Sequence, residues 1–491
     1  MRRQPWLPLA LIVLATAVAG ARASDPILLT EAAGGILELE GERRLEVSGF
    51  QGSITLRLGK VGELRFAARN LQGERVERPI ALWLENSTLR IVPVDDAPAE
   101  NIRLEVSLSP TLSARVEASN SKVHIAGLHG EVQVRGEELD LTVRSVDGSV
   151  ELEIERGLLL VERVAEELKL TGSELDVQVD HVSGAVTLSL QDSSIECNHT
   201  QGEFDADLDD TDLSVSNATG RIRVEANRGS LGLSGCKGGA ELFLSETPLG
   251  LYLNEGQIDV DTDAEVTFEG HNGQLNIRGM GSAVHGTNST GGETQIETSR
   301  AEVFLEGLEG SAVIRGADLQ IHVKDSKGDL TVITTGSTIV VESPQTAVFI
   351  TNDFGDVRVD NASKLVKIDN RDGEVRLFGM KGQVQVKSEG PEVEVHWVSL
   401  GGAETSSVEN SRGDVRVSLP LKFRCRIDAS APHGRIETEI EDLRVSDDGH
   451  HATGILLGGR GPAGALKKPT IRLSSGGDIY IETTDPLLGR P

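Results

Sequence analysis

Between Leu112 and Ser399 apolar residues alternate with polar ones in short runs, and the runs return every nine residues. The repeating unit is G-x-V-x-V followed by four turn residues, as in Gly130–Val134, Gly148–Leu152, Gly220–Val224, Gly355–Val359 and Gly373–Leu377. These 288 residues hold 32 units; an eight-residue unit from Gly256 and a ten-residue unit from Ser282 cancel each other's offset. In the thirty units from Gly130 onward, 58 of 60 residues at positions 3 and 5 are apolar, the exceptions being Gly286 and Thr294. At position 4, between them, only 5 of 30 are apolar. Alternation this strict predicts strands with one buried and one solvated face, and no 3.6-residue period competes with it.

The full period is eighteen. Alternate units start with Gly in 12 of 15 cases against 4 of 15 for the units between them. The latter often place an apolar residue at position 8: Leu128, Val146, Val164, Val182, Cys236, Leu308 and Met380. An apolar corner followed by glycine suits a tight turn of chain. Two strands and two corners per eighteen residues predict an all-β fold, a single-array β-solenoid (parallel β-helix) of about 16 coils, 288 residues divided by 18. At about 4.8 Å per coil the array would be roughly 75 Å long. No coil buries its own apolar face, so neighbours stabilise one another.

Open ends of such an array are unpaired strand edges that need covering. Residues 24–111 leave the register but keep strand-like runs, and are expected to form an N-terminal β-rich cap and first coils. Residues 400–491 are expected to supply C-terminal β-rich coils and a cap, with a flexible loop over 447–468 where Gly, Pro and charge concentrate.

Residues 1–23 read as a signal peptide: Arg2 and Arg3, an apolar run from Leu7 to Ala19, and Ala21-Arg22-Ala23 as the cleavage site. The expected location is therefore beyond the cytoplasmic membrane, periplasmic or at the cell surface. The run is short for a membrane span and no other stretch approaches eighteen apolar residues, so no spanning is expected. The net charge of −29 repels phosphate backbones, so nucleic acid is a poor partner. Three cysteines without close spacing read as buried free thiols. Cys197 and Cys236 sit two coils apart, about 9.6 Å of rise, beyond disulfide reach.

Candidate chemistry is sparse. Asp205 and Asp207, echoed by Asp259 and Asp261, put carboxylates on outward positions that could together hold Ca²⁺ weakly. The calcium-binding nonapeptide repeat, which needs G-G-x-G-x-D in every turn, is absent, as are H-E-x-x-H, a P-loop and G-x-S-x-G. Glycosidic chemistry needs two carboxylates at a set separation in a cleft, and four-residue turns leave little material for one. No cofactor and no catalytic residues are expected. Four of the five apolar residues at outward position 4 fall close together: Phe304, Val313, Val340 and Phe349. With His285 and His322 they form one column, His285-Phe304-His322-Val340, and a second, Val313-Thr331-Phe349, a surface suited to docking a partner.

The G-x-V-x-V units, the segment Gly413–Pro420, the segment His433–Thr438 and the closing Ser475–Ile481 resemble a bacterial exported domain family catalogued as adhesins. The resemblance implies an extracytoplasmic β-solenoid with an adhesion or envelope-associated role and no assigned active site. The expectation is a non-enzymatic, adhesin-like binding or scaffolding protein of the bacterial envelope, its partner an envelope protein or a surface glycan. Two alternatives stand beside it: a carbohydrate-active β-helix enzyme, and an envelope-stress protein that binds another protein.

Overall fold

The computed structural model describes residues 12–13, 26–39, 41, 43–70, 72–74, 80–94, 99–400, 404–421, 423–457 and 469–484. The signal peptide expected over 1–23 lies outside them, apart from Ile12–Val13. The chain is an all-β parallel β-solenoid of about 17 turns of roughly 18 residues, and no helix occurs among the described residues. It divides into two compact units at Thr247/Pro248.

In the first unit the windings from Ser113–Ala126 onward stack in register: Val132 pairs with Val150, and Val150 with Leu168. These three are at most 1% exposed, so the alternation seals its aliphatic rungs inside as expected. The strands are longer than the five-residue runs suggest. Val132–Val146, Val150–Val164 and Leu168–Val182 each run through fifteen residues. Glu138, Arg156 and Glu174 adopt positive φ (54°, 58° and 54°), turning the strand through a corner while the ladder continues on both sides. The opposite corner needs glycine for closeness of approach. A Cβ on Gly202 would lie 2.2 Å from the carbonyl oxygen of Gly184, and one on Gly220 1.8 Å from that of Gly202. The apolar position-8 residues, Leu128, Val146, Val164, Val182 and Cys236 among them, are buried at that corner.

The expected N-terminal cap is a layer of antiparallel pairs on a parallel edge. Arg44–Leu58 pairs in parallel with Ser113–Ala126 on one side, and with Thr88–Pro93 and Ala99–Leu108 on the other. Ile80–Glu85 and Glu63–Asn70 then add antiparallel pairs to those strands.

In the second unit most windings consist of two separate short strands. The irregular repeats are absorbed without moving a side chain to the wrong face: Ile258 pairs with Leu275, and Leu275 with Thr294. The two exceptions to apolarity are both inside. Thr294 is 2% exposed, and Gly286 is buried beneath the ring of Phe268 in the preceding turn. At the C-terminal end chain order and spatial order part. Thr470–Ser475 and Ile479–Thr484 insert between Thr405–Pro420 on one side and Arg424–Thr438 on the other. The last edge is then covered by His451–Leu457, antiparallel to both Arg424–Ser430 and Leu443–Val445.

That strand corrects the flexible loop expected over 447–468. Asp448 accepts hydrogen bonds from the Ser446 hydroxyl (2.5 Å) and the His450 amide (3.0 Å), making a tight turn into His451–Leu457; residues 458–468 lie outside the described ones. Gly and charge there signal a hairpin turn as readily as a loop, and an unpaired edge strand selects the hairpin.

All three cysteines are free and buried. Burial pushes the thiols of Cys197 and Cys425 up to about 12, the Glu196 charge adding to the effect at Cys197.

Candidate docking surface

Register places like positions of successive turns in one column, so an outward residue at position 4 meets its counterparts above and below at about 4.8 Å. The second unit builds the expected column this way: His285 pairs with Phe304, Phe304 with His322, and His322 with Val340. The rings touch. His285 and Phe304 have centroids 6.4 Å apart, and Phe304 meets His322 edge-on at 5.4 Å. Val313, Thr331 and Phe349 form the second column. Every one of these seven side chains is half-buried, because each shields its neighbours. Ile333, two residues from Thr331 on the same outward face, is 44% exposed and widens that apolar surface.

The first column extends further than the sequence reading carried it. Val340 pairs with Arg358, Arg358 with Arg376, Arg376 with Glu394, Glu394 with Arg416, and Arg416 with Tyr480. Beside it Phe378 stacks on His396 at 4.8 Å, and the Arg358 guanidinium lies 5.5 Å from the Phe378 ring centre. Arg416 sits 4.6 Å over Tyr480. Carboxylates hold the cations in place: Arg358 donates to Asp360 at 2.9 Å, Arg416 to Glu392 and Arg376 to Glu374. His396 lies 2.8 Å from Glu394. Apolar counting at position 4 misses Arg358, Phe378, His396, Arg416 and Tyr480, since most of them are polar and Phe378 stands at position 6. The available signal was the aromatic and cationic content of the eighteen-residue columns.

The structure does not bring the calcium candidates together. Asp205 faces Arg223 across the ladder, and Asp207 faces Glu225. Asp259 accepts from Asn276 (2.6 Å) and Gln257 (2.8 Å), and Asp261 lies opposite Arg278. Their neighbours are cations, amides and a like charge, where an ion would need further oxygens. Among the described residues, ligand atoms approach to metal-holding distance at a different group, Asp180, His181 and His199. No helix among the described residues is long and apolar enough to cross a membrane.

No curated protein and no solved structure matches the chain. Residues 320–479, which carry most of the extended column and the first of the two inserted C-terminal strands, match the family model Toastrack DUF4097, and this stretch is similar to that family, which has no assigned function.

Proposed function

We propose that the protein is an exported, non-enzymatic, adhesin-like binding or scaffolding protein of the bacterial cell envelope. It docks an envelope protein or surface glycan along the column from His285 to Tyr480. One observation carries the reading: aromatic rings, imidazoles and guanidiniums follow one another in register on successive turns of an otherwise acidic surface. Rings fixed by their neighbours lose little freedom on contact, so weak contacts repeated along a rigid ladder add. Sugar faces and apolar protein side chains both suit such rings.

The test uses the mature chain as bait on envelope extract and on a glycan array, with a reducing-sugar assay on every glycan retained. Retention lost in Phe304→Asp and in Phe378→Asp, with circular dichroism unchanged, supports docking on this column. Retention unchanged in both variants removes it. Reducing ends released from a retained glycan would make the protein an enzyme instead.

A further inference from the structure

In the first unit one corner position repeats the same left-handed backbone on successive turns: Arg163 (φ 57°), His181 (φ 59°), His199 (φ 56°) and Asn217 (φ 56°). Identical backbone at an eighteen-residue spacing places identical side chains on top of each other. The imidazoles of His181 and His199 accordingly stack with centroids 4.5 Å apart and planes 17° from parallel. Asp180 lies at their base. Its Oδ2 is 2.7 Å from Nδ1 of His181, and its Oδ1 is 3.4 Å from Nδ1 of His199. One nitrogen from each ring and one carboxylate oxygen all lie within 4.8 Å of one another.

Two further observations set this group apart from an ordinary surface ion pair. Oδ1 of Asp180 is shut off from solvent and accepts no hydrogen bond, although the rest of the side chain is well exposed. The flanking residues of the corner are occupied elsewhere. Arg163 donates to Ser145 on the turn away from the cluster (3.1 Å), and Asn217 donates to Asn198 (3.0 Å). Glu162 is held by Arg144 at 3.0 Å. Thus no guanidinium among the described residues pairs with Asp180, and its inaccessible Oδ1 faces the ring nitrogen of His199 while Oδ2 meets that of His181.

We propose that Asp180, His181 and His199 form a binding site for a divalent transition-metal ion of the zinc class, joining two successive turns of the solenoid. Two imidazole nitrogens and one carboxylate oxygen are a donor set for such an ion, and too poor in oxygen for Ca²⁺. Both histidines are exposed, so their rings tilt toward a shared ion without disturbing the core, and water completes the coordination. A single intact carboxylate–histidine pair, such as Asp147 with His129 at 2.8 Å, lacks the second ring and serves as the internal comparison.

The test is equilibrium dialysis of metal-free full-length protein against Zn²⁺ alone, repeated with Cu²⁺ for electron paramagnetic resonance. We expect roughly one Zn²⁺ per chain, with affinity lowered about tenfold or more by Asp180→Asn and by His199→Ala. The Cu²⁺ spectrum should show coupling to two nitrogens, reduced to one in His199→Ala. His129→Ala should leave both readouts unchanged. All three positions are solvent-facing, and unchanged circular dichroism establishes that the variants fold. Zinc binding absent from the native chain, or equal in Asp180→Asn and His199→Ala, overturns the site.

Discussion

Gly286 is the least expected residue of the core, and it explains itself through Phe268. The column in which both lie reads Leu251, Phe268, Gly286, Leu305 on consecutive turns. Phe268 is 1% exposed, and its flanking leucines are 3% and 0% exposed. A Cβ on Gly286 would fall 1.9 Å from Cζ of Phe268 and 2.4 Å from both Cε atoms. Carbon atoms in contact stand about 3.5–4 Å apart, so one added methyl must displace the ring by more than about 1.5 Å into a close-packed interior. Gly286→Ala should therefore cost about 2–3 kcal/mol, although alanine is the better strand residue on backbone entropy alone. Phe268→Leu should cost about 1–2 kcal/mol, from lost burial and from the void left over the glycine. In the double variant the leucine vacates the space the methyl needs, and we expect stability within about 1 kcal/mol of the native chain. A repeat array unfolds by neighbourhoods, so the assay is native-state hydrogen exchange of the amides of Val266–Glu269 and Val284–Thr287. Gly286→Ala should lower protection there by roughly 30- to 150-fold, and the double variant should recover most of it. Two single-variant losses that simply add in the double variant would refute size compensation between these turns.

Three other outcomes follow from the same packing. His271 is fully buried, and burial holds its imidazole below the ordinary value of 6.5. Its proton is bound more readily in the unfolded chain, so stability is complete above that value and falls as pH drops from it toward the lower folded value. His271→Asn should flatten the urea-midpoint slope in that window, and an unchanged slope would rule the residue out. Asn352 accepts from the Thr334 hydroxyl (3.1 Å) and donates to the Ser337 carbonyl (3.0 Å) inside the second unit. Asn352→Leu leaves both groups without it, and exchange protection across Leu330–Phe354 should fall by the equivalent of about 1–3 kcal/mol; native protection would show that water substitutes. With their thiols pushed up to about 12, Cys197 and Cys425 should resist a thiol-exchange reagent at neutral pH. In denaturant all three cysteines should react, and rapid labelling of the native chain would contradict their burial.

What the residue order determines alone is whatever repeats. Alternation at positions 3 and 5 is a statement about one strand. An eighteen-residue period turns it into a ladder, because every turn faces the same neighbours as the one before. Burial of Val132 and Cys197, the column from His285 to Val340, and the buried corner at Val146 and Met380 all follow from that translation. Tertiary structure decided what the repeat does not contain. Thr470–Thr484 lies between strands that precede it in sequence, since past residue 399 the register is broken and pairing depends on which edge is open. Likewise His181 and His199 stack beside Asp180 only because a left-handed corner recurs at both histidines on successive turns, and Gly286 is tolerated only because a ring from the turn before fills its place. Register transmits information along a strand and between like positions; corners, ends and unequal partners need the neighbouring chain in three dimensions.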